Sequence, residues 1–63
     1  MTISVSSSDE LIRLDAFLSS RLIQFSRSKI QKLIVEGSIT VNDKLVKKNF
    51  KLSYGDIINI DKN

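Results

Sequence analysis

The sequence predicts an α+β domain in which a pair of helices packs on one side of a small antiparallel sheet. Two stretches carry apolar residues at helical spacing, and short stretches of alternating apolar and polar residues lie before and after them. A chain of 63 residues has room for one small core, since a domain of this size buries only about 60% of the surface of its unfolded chain. We therefore expect one domain covering residues 1–63, with modest stability.

The second predicted helix, at about residues 27–36, has recognisable signals at both ends. Ser26 suits the N-cap, where its hydroxyl accepts a bond from a free helical N–H group, and Gly37 suits the left-handed position after the helix. A first helix is expected at about residues 14–22, because apolar residues recur at helical spacing from Leu11 onward. Phe25 precedes the cap and is expected to pack back onto the second helix. The apolar stripe of that helix consists of Ile30, Leu33 and Ile34.

Alternating residues predict strands at residues 2–6 and 39–42, and β-branched residues predict a last strand at residues 57–60. Asn42 and Asp43 form a turn, and residues 44–46 are expected to pair back on the strand before it. Phe50 and Tyr54 are expected in the core rather than as platforms for stacked bases.

The positive charge, +3 in total, is concentrated in two segments that contain no acidic residue. Eight of the ten cations lie in residues 21–32 and 44–51. This segregation is typical of a surface that meets a polyanion, although ordinary solvated lysines would give the same count. The cations in the two segments are Arg21, Arg27, Lys29 and Lys32, then Lys44, Lys47, Lys48 and Lys51.

The composition argues against an enzyme. The chain has no cysteine and no histidine, its seven carboxylates show no paired spacing, and its two glycines form no phosphate-binding loop. We expect no catalytic residue, no metal and no cofactor. The longest apolar run is far shorter than the roughly 20 residues of a membrane span, and no signal peptide is apparent. We therefore expect a cytoplasmic protein.

A phosphate site is expected at the start of the second helix, where free N–H groups and the helix dipole favour an anion. Ser26, Arg27 and Ser28 stand there, with Arg21 and Lys32 within reach. Ser26 acts as a cap, as a ligand, or as both.

Several segments of the chain, taken together, form a recognisable pattern. They are Arg13-Leu14-Asp15 with Phe17-Leu18, Ser26-Arg27-Ser28 with Ile30 and Leu33-Ile34, residues 37–42, and residues 54–58. In this order they resemble the small RNA-binding domain named after ribosomal small-subunit protein four, also called the alpha-L motif. The version at the N-terminus of ribosomal large-subunit pseudouridine synthases is the most similar. In that family the domain binds structured RNA, and a separate downstream domain performs the chemistry.

The resemblance implies a monomer that docks structured, ribosomal RNA through its second helix, as one part of a larger enzyme. Arg13 could instead form an internal salt bridge with Asp15. Asp43 departs from the family pattern, which has glycine there, so the geometry of that turn stays open. The residues that the resemblance implies as RNA contacts are Arg13, Ser26, Arg27, Ser28 and Lys29, with Gln31, Lys32 and Lys44 as weaker candidates.

Two other functions fit parts of the pattern. A basic second helix after a short connection could be a DNA-binding helix-turn-helix, although strands follow it rather than a supporting helix. A domain that binds proteins through its sheet edge would leave the segregated charge unexplained.

Overall fold

Two helices pack against a three-stranded antiparallel sheet in the computed structural model, which describes residues 1–61. The predicted α+β architecture is therefore confirmed. Within the described range, no helix combines the length and the apolar character needed to cross a bilayer. The elements are β1 (Thr2–Ser4), a short 3-10 helix (Ser7–Asp9), α1 (Leu14–Arg21), α2 (Arg27–Val35), β2 (Ile39–Val41) and β3 (Ile57–Ile60).

The last strand, β3, lies at the centre of the sheet, between β1 and β2. Ile58 is opposite Ile3 on one side and opposite Val41 on the other. Ile58 and Ile60 are buried while the residues between and before them are exposed, as alternation in a half-covered strand requires. The sheet therefore presents one face to the helices.

The core lies between this face and the two helices. Phe25 and Phe50 are partly buried and pack at its edge. The expected apolar stripe of α2 is buried, so the helix faces the core as the spacing predicts. The buried apolar residues are Val5, Leu14, Phe17, Leu18, Leu22, Ile30, Leu33, Ile34, Ile39, Val41, Leu52, Ile58 and Ile60.

The C-terminal end of α2 is closed by Gly37, as predicted. Its φ of 85° is in the left-handed region, its N–H group donates to the Ile34 carbonyl at 3.2 Å, and the next N–H, of Ser38, donates to Leu33 at 2.9 Å. This pair of bonds satisfies carbonyl groups that have no partner within the helix. A Cβ at this position would lie only 3.0 Å from Cδ2 of Leu45, so the site is crowded as well as left-handed.

The predicted turn at Asn42 and Asp43 is confirmed, and Asp43 adopts the geometry despite replacing glycine. Their φ values are 52° and 63°, and Val41 and Lys44 exchange two backbone hydrogen bonds of 3.0 Å across the turn. Two central residues with positive φ are characteristic of a type I′ turn. The Asn42 side chain also accepts a bond from the Ile57 backbone at 3.0 Å, which ties the turn to β3.

The strand predicted at residues 44–46 is wrong. Val41 and Lys44 form a single bridge, and the chain then leaves the sheet without regular structure. The reason is tertiary: residues after the bridge pass the end of α2 and continue beside residues 11–15. The first strand is also shorter than predicted and ends at Ser4, although Val5 beyond it is buried.

Two large apolar side chains near the turns lie at the surface, and for Tyr54 this corrects the expected core position. Leu11 precedes α1 in a turn with φ of 67° and is 74% exposed, so the helical spacing does not extend back to it. Tyr54 is 69% exposed because it lies in the turn before β3, where its N–H group donates to Glu10. Turns place such residues outside the sheet face that covers the core.

The substitution Leu33→Ala should lower the free energy of unfolding by roughly 2–5 kcal/mol, because it removes a buried side chain from a small core. Val35→Ala is the matched control on the same helix, since its side chain is 78% exposed. Thermal and urea unfolding of both variants measure the effect. An equal loss in the two variants would contradict the packing described here.

Candidate nucleic-acid interface

The carboxylate of Asp15 is fully buried between the two helices and is held by three side chains from the predicted site. Arg13 donates to it twice, from Nε at 3.0 Å and from Nη2 at 2.9 Å. Gln31 Nε2 donates at 2.9 Å, and Arg27 Nη2 lies 3.4 Å from the same oxygen, Oδ2. The backbone N–H of Ala16 donates to Oδ1 at 2.9 Å. The internal salt bridge considered for Arg13 is thus present.

The partners of Asp15 keep it ionised. Burial by itself raises the pKa of a carboxyl group, because it penalises the charged form. At Asp15 the hydrogen bonds from Gln31 and Arg13, together with the charges of Arg13 and Arg27, outweigh burial and lower the pKa below its ordinary value. The cluster therefore holds one negative and two positive charges at neutral pH.

Helical spacing explains why these groups meet. Arg27 and Gln31 are four residues apart and lie on one flank of α2. Asp15 is in the first turn of α1, where a negative side chain also interacts favourably with the helix dipole. Arg13 directly precedes α1 and folds back to the carboxylate across the helix start.

The second basic segment runs to the same place. The N–H groups of Leu14 and Asp15 donate to the carbonyls of Phe50 and Lys48, at 2.8 and 3.2 Å. These bonds fix the segment beside the start of α1, next to the buried carboxylate. Asp15 thus contacts both basic segments, through its N–H group to Lys48 and through its carboxylate to Arg27.

An open groove lies between the second basic segment, Arg13 and Val35 at the end of α2. Three cations line it and none of its lining residues is acidic, while Val35 and Val46 supply apolar surface. Lys47 and Lys48 were not among the site residues predicted from the sequence. The charge count of residues 44–51 contained the signal, but the face to which they belong depends on the path of an irregular segment. The lining residues are Arg13, Val35, Val46, Lys47, Lys48 and Asn49.

The start of α2 is built as predicted. The Ser26 hydroxyl accepts a hydrogen bond from the backbone N–H of Lys29 at 3.1 Å, so Ser26 is the N-cap. Ser28 is exposed beside it. Arg27 is paired with Asp15 while 51% of its side chain stays exposed.

The remaining predicted residues lie at different distances from this cluster. Lys32 is exposed on the outer side of α2, and Lys44 is exposed at the hairpin turn. Lys29 lies roughly opposite Arg27 around the helix and lines a second cleft, with Phe25, Leu33 and Ile60 among its neighbours. The structure thus separates Lys29 from the cluster.

Arg21 is the other predicted residue that lies apart. Its guanidinium pairs with Asp9 at 3.2 Å and stacks over the Phe17 ring, 4.6 Å from the ring centroid. Both contacts belong to the other flank of α1 from Asp15, so Arg21 and Asp15 form separate ion-pair groups.

The substitution Asp15→Asn should lower the free energy of unfolding at neutral pH by about 1–3 kcal/mol, because charge-assisted hydrogen bonds are lost. The pKa of Asp15 is lower in the folded than in the unfolded chain. The stabilisation is therefore complete above the unfolded pKa and disappears as the pH falls through the folded one. Urea unfolding between pH 7 and pH 2 should show the difference from the parent protein shrinking below about pH 4. If the difference in the free energy of unfolding between the parent and Asp15→Asn stayed constant with pH, this would contradict an ionised Asp15 in the folded protein.

Comparison with known proteins gives a family for this arrangement. The S4 domain matches residues 12–58, which include both helices, the Asp15 cluster and the groove. An uncharacterized RNA pseudouridine synthase of Chlorobaculum parvum is 35% identical over 60 residues, or 95% of this chain and 18% of the relative. The Bacillus subtilis uncharacterized RNA pseudouridine synthase YlyB is 33% identical over 58 residues, covering 92% of this chain and 19% of the relative.

A third relative is the ribosomal large subunit pseudouridine synthase C of Vibrio vulnificus, which is 38% identical over 48 residues, or 76% of this chain and 15% of the relative. The chain thus spans less than a fifth of the length of these relatives. The family and the relatives support an RNA-binding module, and they confirm the resemblance predicted from the sequence. The chain belongs to the S4 domain family.

Proposed function

We propose that this domain docks structured RNA, and ribosomal RNA in particular, on the surface formed by the Asp15 cluster and the adjoining groove. The observation that carries the proposal is that the second basic segment lies against Asp15, which also binds Arg27 of the first segment. Arg13 and Arg27 are fixed by one carboxylate, and Lys47 and Lys48 line the groove beside them. We call this surface the Asp15 face; it consists of Arg13, Arg27, Gln31, Lys47 and Lys48, with Ser26, Ser28 and Lys32 at its border.

The chemistry of the face suits RNA phosphates. Guanidinium groups bind phosphate oxygens with paired hydrogen bonds, and lysines add charge without strict geometry. Val35, 78% exposed in the groove, offers apolar contact to a ribose or a base. The aromatic side chains do not line this groove, which favours recognition of RNA shape and backbone over recognition of base sequence.

The relatives suggest the wider setting. We propose that the domain acts as a monomer in the cytoplasm and is the RNA-binding part of a pseudouridine synthase whose chemistry lies in a separate domain. The carboxylates of this chain support that division, because several already have structural partners. Asp9 pairs with Arg21, and Asp56 accepts hydrogen bonds from Asn42 and the Ser53 backbone.

The substitution Arg27→Ala should weaken binding to an RNA stem-loop by roughly tenfold or more, since it removes a charged hydrogen-bonding group from the centre of the face. Lys29→Ala removes the same charge from the same helix but from the other flank, and its effect should be smaller. Fluorescence anisotropy at fixed salt measures both, with thermal melts to confirm folding. Equal losses would indicate diffuse attraction rather than a defined face.

Salt dependence tests whether phosphates dominate the contact. Engaging about four to six phosphates should make log K fall against log salt with a slope of roughly −3 to −5. Titrations with a stem-loop, a single strand and duplex DNA of equal length supply the comparison. A slope near zero would overturn the proposal, and tighter binding to duplex DNA than to the stem-loop would favour the helix-turn-helix alternative.

A further inference from the structure

We infer that Asp15 is a positioning residue for RNA recognition: it holds the Arg13 and Arg27 guanidinium groups as one rigid pair that binds the phosphate backbone of folded RNA. This inference rests on the proposed function and adds a specific role for a residue that cannot itself touch RNA, because its side chain is fully buried. Three observations support it: the shared carboxylate oxygen, the donors left free, and the exposure of the two arginines.

A single oxygen connects the two arginines. Nη2 of Arg13 lies 2.9 Å from Oδ2 of Asp15, and Nη2 of Arg27 lies 3.4 Å from the same atom. The two guanidinium groups, one from the residue before α1 and one from α2, are therefore close neighbours. Without the carboxylate between them, two like charges at this separation would repel each other. Gln31 donates to the same oxygen and completes the support.

The arginines keep donors for a ligand. A guanidinium group has five N–H donors. Arg13 uses Nε and Nη2 on Asp15, which leaves both hydrogens of Nη1 and one of Nη2. Arg27 uses Nη2 alone on this carboxylate. Their side chains are 42% and 51% exposed, so both arginines present part of their surface to solvent, where a ligand can reach them.

Fixing the two groups favours folded RNA over a flexible strand. A long side chain that is already ordered loses less conformational freedom when it binds. The phosphates of a folded stem have set positions, so a rigid pair of donors can match them, whereas a single strand must first be ordered. Asp15 thus raises the selectivity of the domain for folded RNA over unstructured RNA, and it does not raise the electrostatic attraction to RNA in general.

A purely electrostatic view predicts the opposite result, which makes the inference testable. Asp15→Asn removes a negative charge near the RNA, so charge alone would tighten binding to every RNA. Asp9→Asn makes the same change in charge at the ion pair with Arg21, away from the Asp15 face. It is therefore the matched control.

The experiment measures dissociation constants of the parent protein and both variants for a stem-loop RNA and for an unstructured RNA of equal length. We expect Asp15→Asn to reduce the preference for the stem-loop by roughly tenfold, while Asp9→Asn leaves that preference unchanged. Equal behaviour of the two variants would overturn the inference. If the parent protein binds neither RNA, the proposed function fails as well, which separates the two failures.

Arg27→Lys decides the question if Asp15→Asn does not fold. This change keeps the charge and leaves Asp15 bound by Arg13 and Gln31, but it replaces a planar group with a flexible ammonium. The affinity of the variant for the unstructured RNA should stay close to that of the parent protein. Its affinity for the stem-loop should fall towards its affinity for the unstructured RNA. An unchanged preference for the stem-loop in a folded Arg27→Lys protein would overturn the inference.

Discussion

A buried carboxylate that needs partners is the constraint on which this arrangement depends. Asp15 is completely removed from solvent, and a charge in that position is unstable unless other groups bind it. Its side-chain partners come from α2 and from the residue before α1, and the Ala16 backbone of α1 adds a further bond. The need to bind this carboxylate therefore fixes how the two helices meet. The contact lies near the protein surface, so the Arg13 and Arg27 side chains remain partly exposed.

Several acidic residues bind partners away from the Asp15 face, and this leaves the face basic. Asp9 neutralises Arg21 on the other flank of α1, Asp56 supports the turn before β3, and Glu36 accepts a bond from Ser38 beyond the end of α2. Asp15 itself is buried beneath the arginines that it binds. In a domain this small, the same ion pairs thus contribute to stability and determine where positive charge is available to a ligand.

The order of the sheet joins this surface to the core. Because β3 lies between the other strands, the segment that precedes it must return from the end of the hairpin to the centre of the sheet. On the way it passes α1 and forms backbone bonds with Leu14 and Asp15. Lys47 and Lys48 lie on this return path, so strand order brings the second basic segment to Asp15, which also binds Arg27 of the first segment.

Sequence alone determined the features that depend on neighbouring residues. The ends of α2 at Ser26 and Gly37, the turn at Asn42 and the buried positions of β3 follow from capping groups, positive φ and periodicity, all of which act over a few residues. The cations are also read directly from the sequence, and the family came from the resemblance of several segments to it.

Tertiary structure decided which cations share a face. It placed Lys48 and Arg13 in the lining of one groove, and it placed Lys29 on the opposite flank of α2 from Arg27. It also gave the chain an irregular path after Lys44, where a strand was expected. It also turned Arg13, Arg27 and Gln31 towards one carboxylate, of which the sequence indicated only the pair formed with Arg13. These outcomes depend on contacts between distant segments and on the burial of a charge, and spacing along the chain encodes neither.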